Sequence, residues 1–162
     1  MKAILNKLNA CQEAVEWAEN KPIEEIINTC HRGDWLLWLA RKLDVDLQNI
    51  TLAKGLCANT VIHLMKDDRS INAVNAAIAF GRGEITRAEL DAAAAASYAA
   101  AASSSYADAA SSYADAAASY AAAAASYAAA AARIKNQLLT ANICRDVLGK
   151  ILIHKLITYK SE

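Results

Sequence analysis

The sequence predicts an all-α fold: a compact helical N-terminal bundle, then a long Ala/Tyr-rich helix, then a C-terminal helix that packs back. Three observations predict it. One proline and five glycines in 162 residues are too few breakers for the many turns of an all-β domain. Outside the middle of the chain, apolar residues recur at the spacing of amphipathic helices. The middle itself, residues 92–132, uses only 26 Ala, 8 Ser, 5 Tyr and 2 Asp. Alanine has the highest helix propensity, so this low-complexity tract reads as helix rather than as disorder. At 17.3 kDa the whole is a single all-helical domain. Its parts are a bundle over 2–90, the Ala/Ser/Tyr-rich tract over 91–132 and a helix over 133–160.

The elements follow in order. Residues 2–18 place Ile4, Leu5, Leu8, Cys11, Val15 and Trp17 or Ala18 mostly along one helical face. Lys21-Pro22 breaks that helix, and Pro22 suits the first turn of a short helix through Ile26 and Ile27. Cys30-His31-Arg32-Gly33 reads as a turn with glycine at the bend, and Asp34 as the cap of a helix from Trp35 to Leu43. Leu36, Leu37, Trp38 and Leu39 make that helix too apolar for the surface, so it should be central. Arg32 is placed to pair with an acid beside Trp35 and Trp38. A fourth helix runs from Leu47 to Met65, burying Ile50, Leu52, Leu56, Cys57, Val61, Ile62 and Leu64. Lys66-Asp67-Asp68-Arg69 is a solvated turn, and Ser70 caps a fifth helix that Gly81-Arg82-Gly83 stops. Thr86-Arg87-Ala88-Glu89 is a capping box. The tract then continues as one long helix, roughly 60 Å at about 1.5 Å per residue, with a possible interruption at Ser103-Ser104-Ser105. In the tail, Leu138, Leu139, Ile143, Val147, Leu148, Ile151, Leu152, Leu156 and Ile157 should pack onto the earlier helices.

Charge excludes whole classes of function. Seventeen basic and seventeen acidic side chains cancel, so neither a general nucleic-acid binder nor an acidic nucleic-acid mimic is favoured. The tail from Arg133 is locally basic, either as the solvated face of a core helix or as an anion-binding strip. Met1 to Lys7 alternates charged and apolar residues and has no signal-peptide core. The alanine tract is too polar for a membrane span. The expectation is a cytoplasmic protein in which Cys11, Cys30, Cys57 and Cys144 are buried reduced thiols. Cys30, His31, Cys57 and His63 could supply a zinc site, without any motif spacing behind it, and no metal or cofactor is expected. Nor is there a phosphate-cradling glycine loop, a nucleophile elbow, His-Glu-x-x-His or paired carboxylates. His31, His63 and His154 stand alone, so the expectation is a protein that is not an enzyme.

The tract holds the clearest candidate surface. Tyr98, Tyr106, Tyr113, Tyr120 and Tyr127 are spaced 8, 7, 7 and 7. At about 100° per residue all five fall within roughly 80° of arc on a straight helix. Asp108 and Asp115 lie behind them, and alanines flank the stripe. Tyrosine offers rigid area with a hydroxyl at the tip, and alanine lets a neighbour approach closely. The ladder therefore either packs on the chain's own helices or docks a partner, whether a second copy or another protein. The regular threonine array of an ice-binding helix is missing.

The run Cys30-His31-Arg32-Gly33-Asp34-Trp35-Leu36-Leu37-Trp38-Leu39 resembles the C-x-R-G-D-W-L-L-W-L segment of a bacterial and phage family. These are the immunity-protein-five-like proteins of polymorphic-toxin systems. Cys11, Ala14 and Trp17 match upstream, and Ile71 to Leu90 resembles the family's A-I-x-x-A…G-E-x-T-x-x-E-L stretch. The Lys-, Asn- and Ile-rich ends look like a phage gene. The resemblance implies a small cytoplasmic all-helical protein that binds and neutralises a toxin without catalysis. In a phage, the corresponding expectation is an anti-defence or anti-CRISPR inhibitor of a host component. Partner contacts are expected at Tyr98, Tyr106, Tyr113, Tyr120 and Tyr127. Arg32, Gly33, Asp34, Trp35 and Trp38 are expected as a structural motif. The alternatives are a sponge for a nucleotide signal, with aromatic pockets and basic mouths, and a structural homo-oligomerisation module.

Overall fold

A computed structural model describes the backbone of residues 1–103 and 130–161, and the side chains of 1–97 and 134–160. The described residues form helices and no strand. In order these are α1 (Lys2–Lys7), α2 (Gln12–Trp17), α3 (Ile23–Thr29), α4 (Gly33–Lys42), α5 (Leu47–Asn59), a 3-10 turn (Ile62–Leu64), α6 (Asp68–Gly81), α7 (Arg87–Ser103) and α8 (Ala130–Ser161). Tyr106, Tyr113, Tyr120, Tyr127, Ser104 and Ser105 lie outside the described residues, as do the side chains of Tyr98 and Ser103.

Helix ends explain where the sequence reading and the structure part. Residues 2–18 form two helices rather than one, because Asn9 adopts the left-handed conformation at φ 61°. The Ala10 N–H then donates to the Leu5 carbonyl (2.9 Å) and the Asn9 N–H to that of Asn6 (3.0 Å), closing α1. α4 ends the same way at Asp44 (φ 49°), with the Val45 N–H on the Ala40 carbonyl at 3.0 Å. α6 ends so at Gly83 (φ 74°), the stop glycine of the sequence reading. Asparagine and aspartate tolerate this conformation through local hydrogen bonding, which composition alone does not reveal.

Helix starts need two corrections. Asp67, not Ser70, caps α6 by accepting from the Arg69 N–H at 2.8 Å. α4 begins at Gly33, so Asp34 sits inside its first turn and grips Arg32 instead of capping. Gly33 is likewise no bend. It sits where α8 crosses, and a Cβ there would lie 2.8 Å from the Thr140 carbonyl carbon. Pro22 stands at the N-cap of α3, one residue before its first turn. The capping box at α7 is present: the Thr86 N–H donates to Glu89 at 2.7 Å, and the Glu89 N–H to the Thr86 hydroxyl at 3.3 Å.

The core is closed by α8. Ala141, Cys144, Leu148, Leu152 and Leu156 form one stripe, each 0% exposed. They pack against Ile27, Leu36, Leu39, Ala53 and Cys57 of α3, α4 and α5. α4 is thus central, as its apolar run predicts. α5 lies between α6 and α8, and its buried face is made of small residues, Ala53, Gly55, Cys57 and Ala58. Ile50, Leu52, Leu56, Val61 and Ile62 are only half-buried, and α5 stops at Asn59, leaving Leu64 exposed. Leu138, Leu139 and Ile157 are exposed as well, since the buried stripe of α8 starts at Ala141 and keeps to one face. Three of the four cysteines are buried, but Cys11 is exposed.

Candidate functional site

The short helices α1 to α3 and the start of α4 build a second, smaller core of Leu5, Val15, Ala18 and Ile26 beside the main one. Their brevity matters here. Two left-handed turns, at Asn9 and Asn20, fold α1, α2 and α3 into an arch instead of a rod. The arch does not fill completely. Between the two cores lies a cavity of about 220 Å³ walled by Trp17, Trp35 and Trp38, with Leu5, Ala14 and Ile26 among its other apolar walls. Cys11 and Asp34 also line it, and both residues are exposed to solvent.

The tryptophans are held by aromatic and cationic contacts. The Trp17 ring lies 6.0 Å from Trp35, and His31 sits 5.7 Å from Trp17 and 5.9 Å from Trp35. Lys21 places its ammonium 3.8 Å from the Trp17 ring centroid, and the Arg32 guanidinium lies 4.9 Å from that of Trp35. Such pairs are electrostatic attractions to the ring face. Arg32 also binds Asp34 through two hydrogen bonds, at 2.7 and 2.9 Å, and lies 3.7 Å from Glu13. The Asp34 bond, with the charges of Asp34 and Glu13, raises the Arg32 pKa above its ordinary value. Lys42 approaches the Trp38 ring at 5.8 Å. The Arg-Gly-Asp-Trp run is therefore one device: arginine and aspartate clamp each other, glycine admits α8, and tryptophan walls the cavity.

The thiols serve packing. Cys57 and Cys144 face each other at 3.8 Å between α5 and α8, and the Cys144 Sγ donates to the Gly33 carbonyl at 3.6 Å. That bond to Cys57 and burial push the Cys144 thiol well up, and burial raises Cys30. Both stay protonated and unreactive at neutral pH. Cys30, His31, Cys57 and His63 do not come together as a metal site, and the described residues contain no group of three or more metal-ligating side chains. No described helix is long and apolar enough to cross a membrane.

Sequence reasoning named Arg32, Asp34, Trp35 and Trp38 but missed Trp17, Cys11 and Ala14 as walls of one cavity. Helical spacing puts Cys11, with Trp17 or Ala18, on the apolar face of the first segment, and the family resemblance matches Cys11, Ala14 and Trp17, but neither signal brings them against α4. Periodicity assigns Trp17 and Trp35 to separate helices and cannot say that their rings meet. The side chains of the five ladder tyrosines lie outside the described residues. No family model, curated protein or solved structure matches this chain.

Proposed function

We propose that this chain is a non-enzymatic binding protein that neutralises a macromolecular effector: a bacterial toxin, or a defence component of a phage's host. The supporting observation is the tryptophan-walled cavity. At about 220 Å³ it is smaller than the roughly 300–1,000 Å³ of sites that enclose small ligands. An apolar cavity of about 150 Å³ is nonetheless room enough for benzene. The cavity thus suits a single apolar or aromatic side chain presented by a partner. Protein interfaces concentrate their energy in such buried anchors, ringed by contacts that exclude water. The Tyr/Ala face of Tyr98 to Tyr127 supplies a second contact surface in this reading.

The nucleotide sponge is the second reading, favoured by Lys21 and Arg32 lying over tryptophan rings beside the cavity. It is weaker, because Arg32 is already held by Asp34 and Glu13, leaving little positive charge for a phosphate. The test is capture of bound proteins and small molecules from the native host. Wild type is run beside Ala14→Phe, which fills the cavity, and beside Tyr113→Arg with Tyr120→Arg, each variant checked for folding. One stoichiometric protein lost in a folded variant supports the inhibitor reading. A nucleotide released on heating, or only further copies of this chain, overturns it.

A further inference from the structure

We propose that Cys57 and Cys144 are a latent disulfide, a thiol pair that a low-molecular-weight disulfide such as oxidised glutathione converts into a covalent staple between α5 and α8. The fold brings together two sulfurs that lie 87 positions apart in the chain. Cys57 stands in the last turn of α5 and Cys144 in the interior of α8, 3% and 0% exposed, with their Sγ atoms in contact at 3.8 Å. A disulfide holds its sulfurs at about 2.05 Å, so the pair has to close by about 1.8 Å. Only weak contacts hold the sulfurs where they are. The Cys57 Sγ lies 3.8 Å from the Thr140 carbonyl of α8, and the Cys144 Sγ 3.6 Å from the Gly33 carbonyl of α4. Thiols are weak donors, so little hydrogen bonding is lost when those contacts go. Cys30, the third buried thiol, is turned elsewhere, its Sγ donating to the Arg32 carbonyl at 3.4 Å. Geometry thus selects one pair among the three.

The exchange begins with α8 undocked, because in the closed fold an oxidant reaches neither sulfur. The Cys144 thiolate, its proton lost to solvent, attacks one sulfur of oxidised glutathione. An S–S bond forms to Cys144, and one glutathione leaves as its thiolate. The Cys57 thiolate then attacks the Cys144 sulfur of that mixed disulfide and expels the second glutathione. Two electrons pass from the protein to oxidised glutathione, and the two protons released by the protein are taken up by the two glutathione thiolates. Docking of α8 promotes the second step by bringing the sulfurs into contact. The coupling is reciprocal: the factor by which the fold favours the bond is the factor by which the bond favours the fold. Across so long a loop, the link acts mainly by constraining the unfolded chain. Burial then shields the finished bond from reductants.

The test is an equilibrium in mixtures of reduced and oxidised glutathione, in native buffer and in concentrated urea. It uses the full chain carrying Cys11→Ser, which removes the exposed thiol and with it linked dimers, and wild type beside it. Equilibrium is approached from the reduced and from the oxidised chain, so a slow opening of α8 cannot pass for absence of the bond. Alkylation of the remaining thiols stops the exchange. Mass spectrometry then counts chains that have lost two hydrogens, and peptide mapping identifies the linked pair. The expected result is a Cys57–Cys144 link that forms at least about ten times more readily against glutathione in native buffer than in urea. By reciprocity the oxidised chain should be more stable to urea by the same factor. Equal or weaker formation in native buffer overturns the proposal, because the fold would then oppose the bond or ignore it. A native link through Cys30 overturns it as well, as does an oxidised chain that unfolds at lower urea than the reduced one.

Discussion

Two glycine-to-alanine changes in this molecule should have opposite signs, and the reason is entirely geometric. Gly81 ends α6 where α5 passes, and a Cβ built there would lie 2.4 Å from the Leu52 Cβ, 2.7 Å from its Cα and 2.8 Å from its nitrogen. Carbon atoms pack best at about 3.5–4.0 Å, so α5 and α6 would have to part locally by about 1 Å. The obstacle is backbone, which cannot rotate away. Overpacking of this kind costs about 1–3 kcal/mol, and the helix-propensity gain of alanine is small at a terminal position. Gly81→Ala should lose about 2 kcal/mol, lowering Tm by about 4–8 °C in a chain of this size. Gly149 is the contrast. It is buried in the interior of α8, but its Cβ would meet only the Ile27 Cγ2, at an ordinary 3.6 Å. There the entropy of the unfolded glycine decides, and Gly149→Ala should gain about 0.5–1 kcal/mol. Thermal melts followed by circular dichroism read both variants beside wild type. A Gly81→Ala protein that melts at or above wild type would refute the close α5–α6 approach, and a destabilised Gly149→Ala would refute the open site on α8.

Further expectations follow from the same structure. Ellman's reagent should titrate one thiol rapidly in the native protein, and Cys11→Ser should abolish that fast phase; three more thiols should appear on unfolding. Leu152→Ala, at a site 0% exposed, should cost about 2–5 kcal/mol in denaturant unfolding. Leu138→Ala, at a site 45% exposed, should cost well under half as much, and equal costs would contradict the one-sided burial of α8. Asp46 caps α5 by accepting from the Asn49 side chain and N–H, which hold its carboxyl below the usual range. Its stabilising contribution is present above the unfolded Asp pKa of about 3.9 and is lost as pH falls through the folded value. Asp46→Ala should cost about 1 kcal/mol near neutrality. In urea titrations its deficit against wild type should shrink below about pH 4; a deficit independent of pH would exclude the charged cap.

The helical fold and the central place of α4 were legible because both rest on local signals, alanine content and an apolar run between Asp34 and Leu43. The capping box at Thr86 was legible for the same reason: both partners lie within one turn. What the sequence hid depends on partners far along the chain. Gly33 looks like a bend until α8 is laid across it. Asp34 looks like a cap until the chain enters its helix two residues early and hands the carboxylate to Arg32. Leu138 and Leu139 have core chemistry, yet the helices they would meet lie along a later part of α8. The cavity illustrates the same limit, because Trp17 and Trp35 meet only through the folding of three short helices, the first two of which are followed by single left-handed residues, Asn9 and Asn20.

The position of α8 also fixes when this protein can become itself. Cys57 meets Cys144 across 87 positions, Lys155 reaches the Asp44 carbonyl across 111, and Arg145 reaches that of Cys30 across 115. On the ribosome, at about 5–20 residues per second, roughly 100 residues take about 5–20 s to make. For that interval Ile27, Leu36 and Leu39 wait without the leucines of α8 that will cover them. The nascent chain is therefore a customer for chaperones until its last helix emerges. A ribosome stalled within the alanine tract would release a sticky fragment rather than a smaller folded protein.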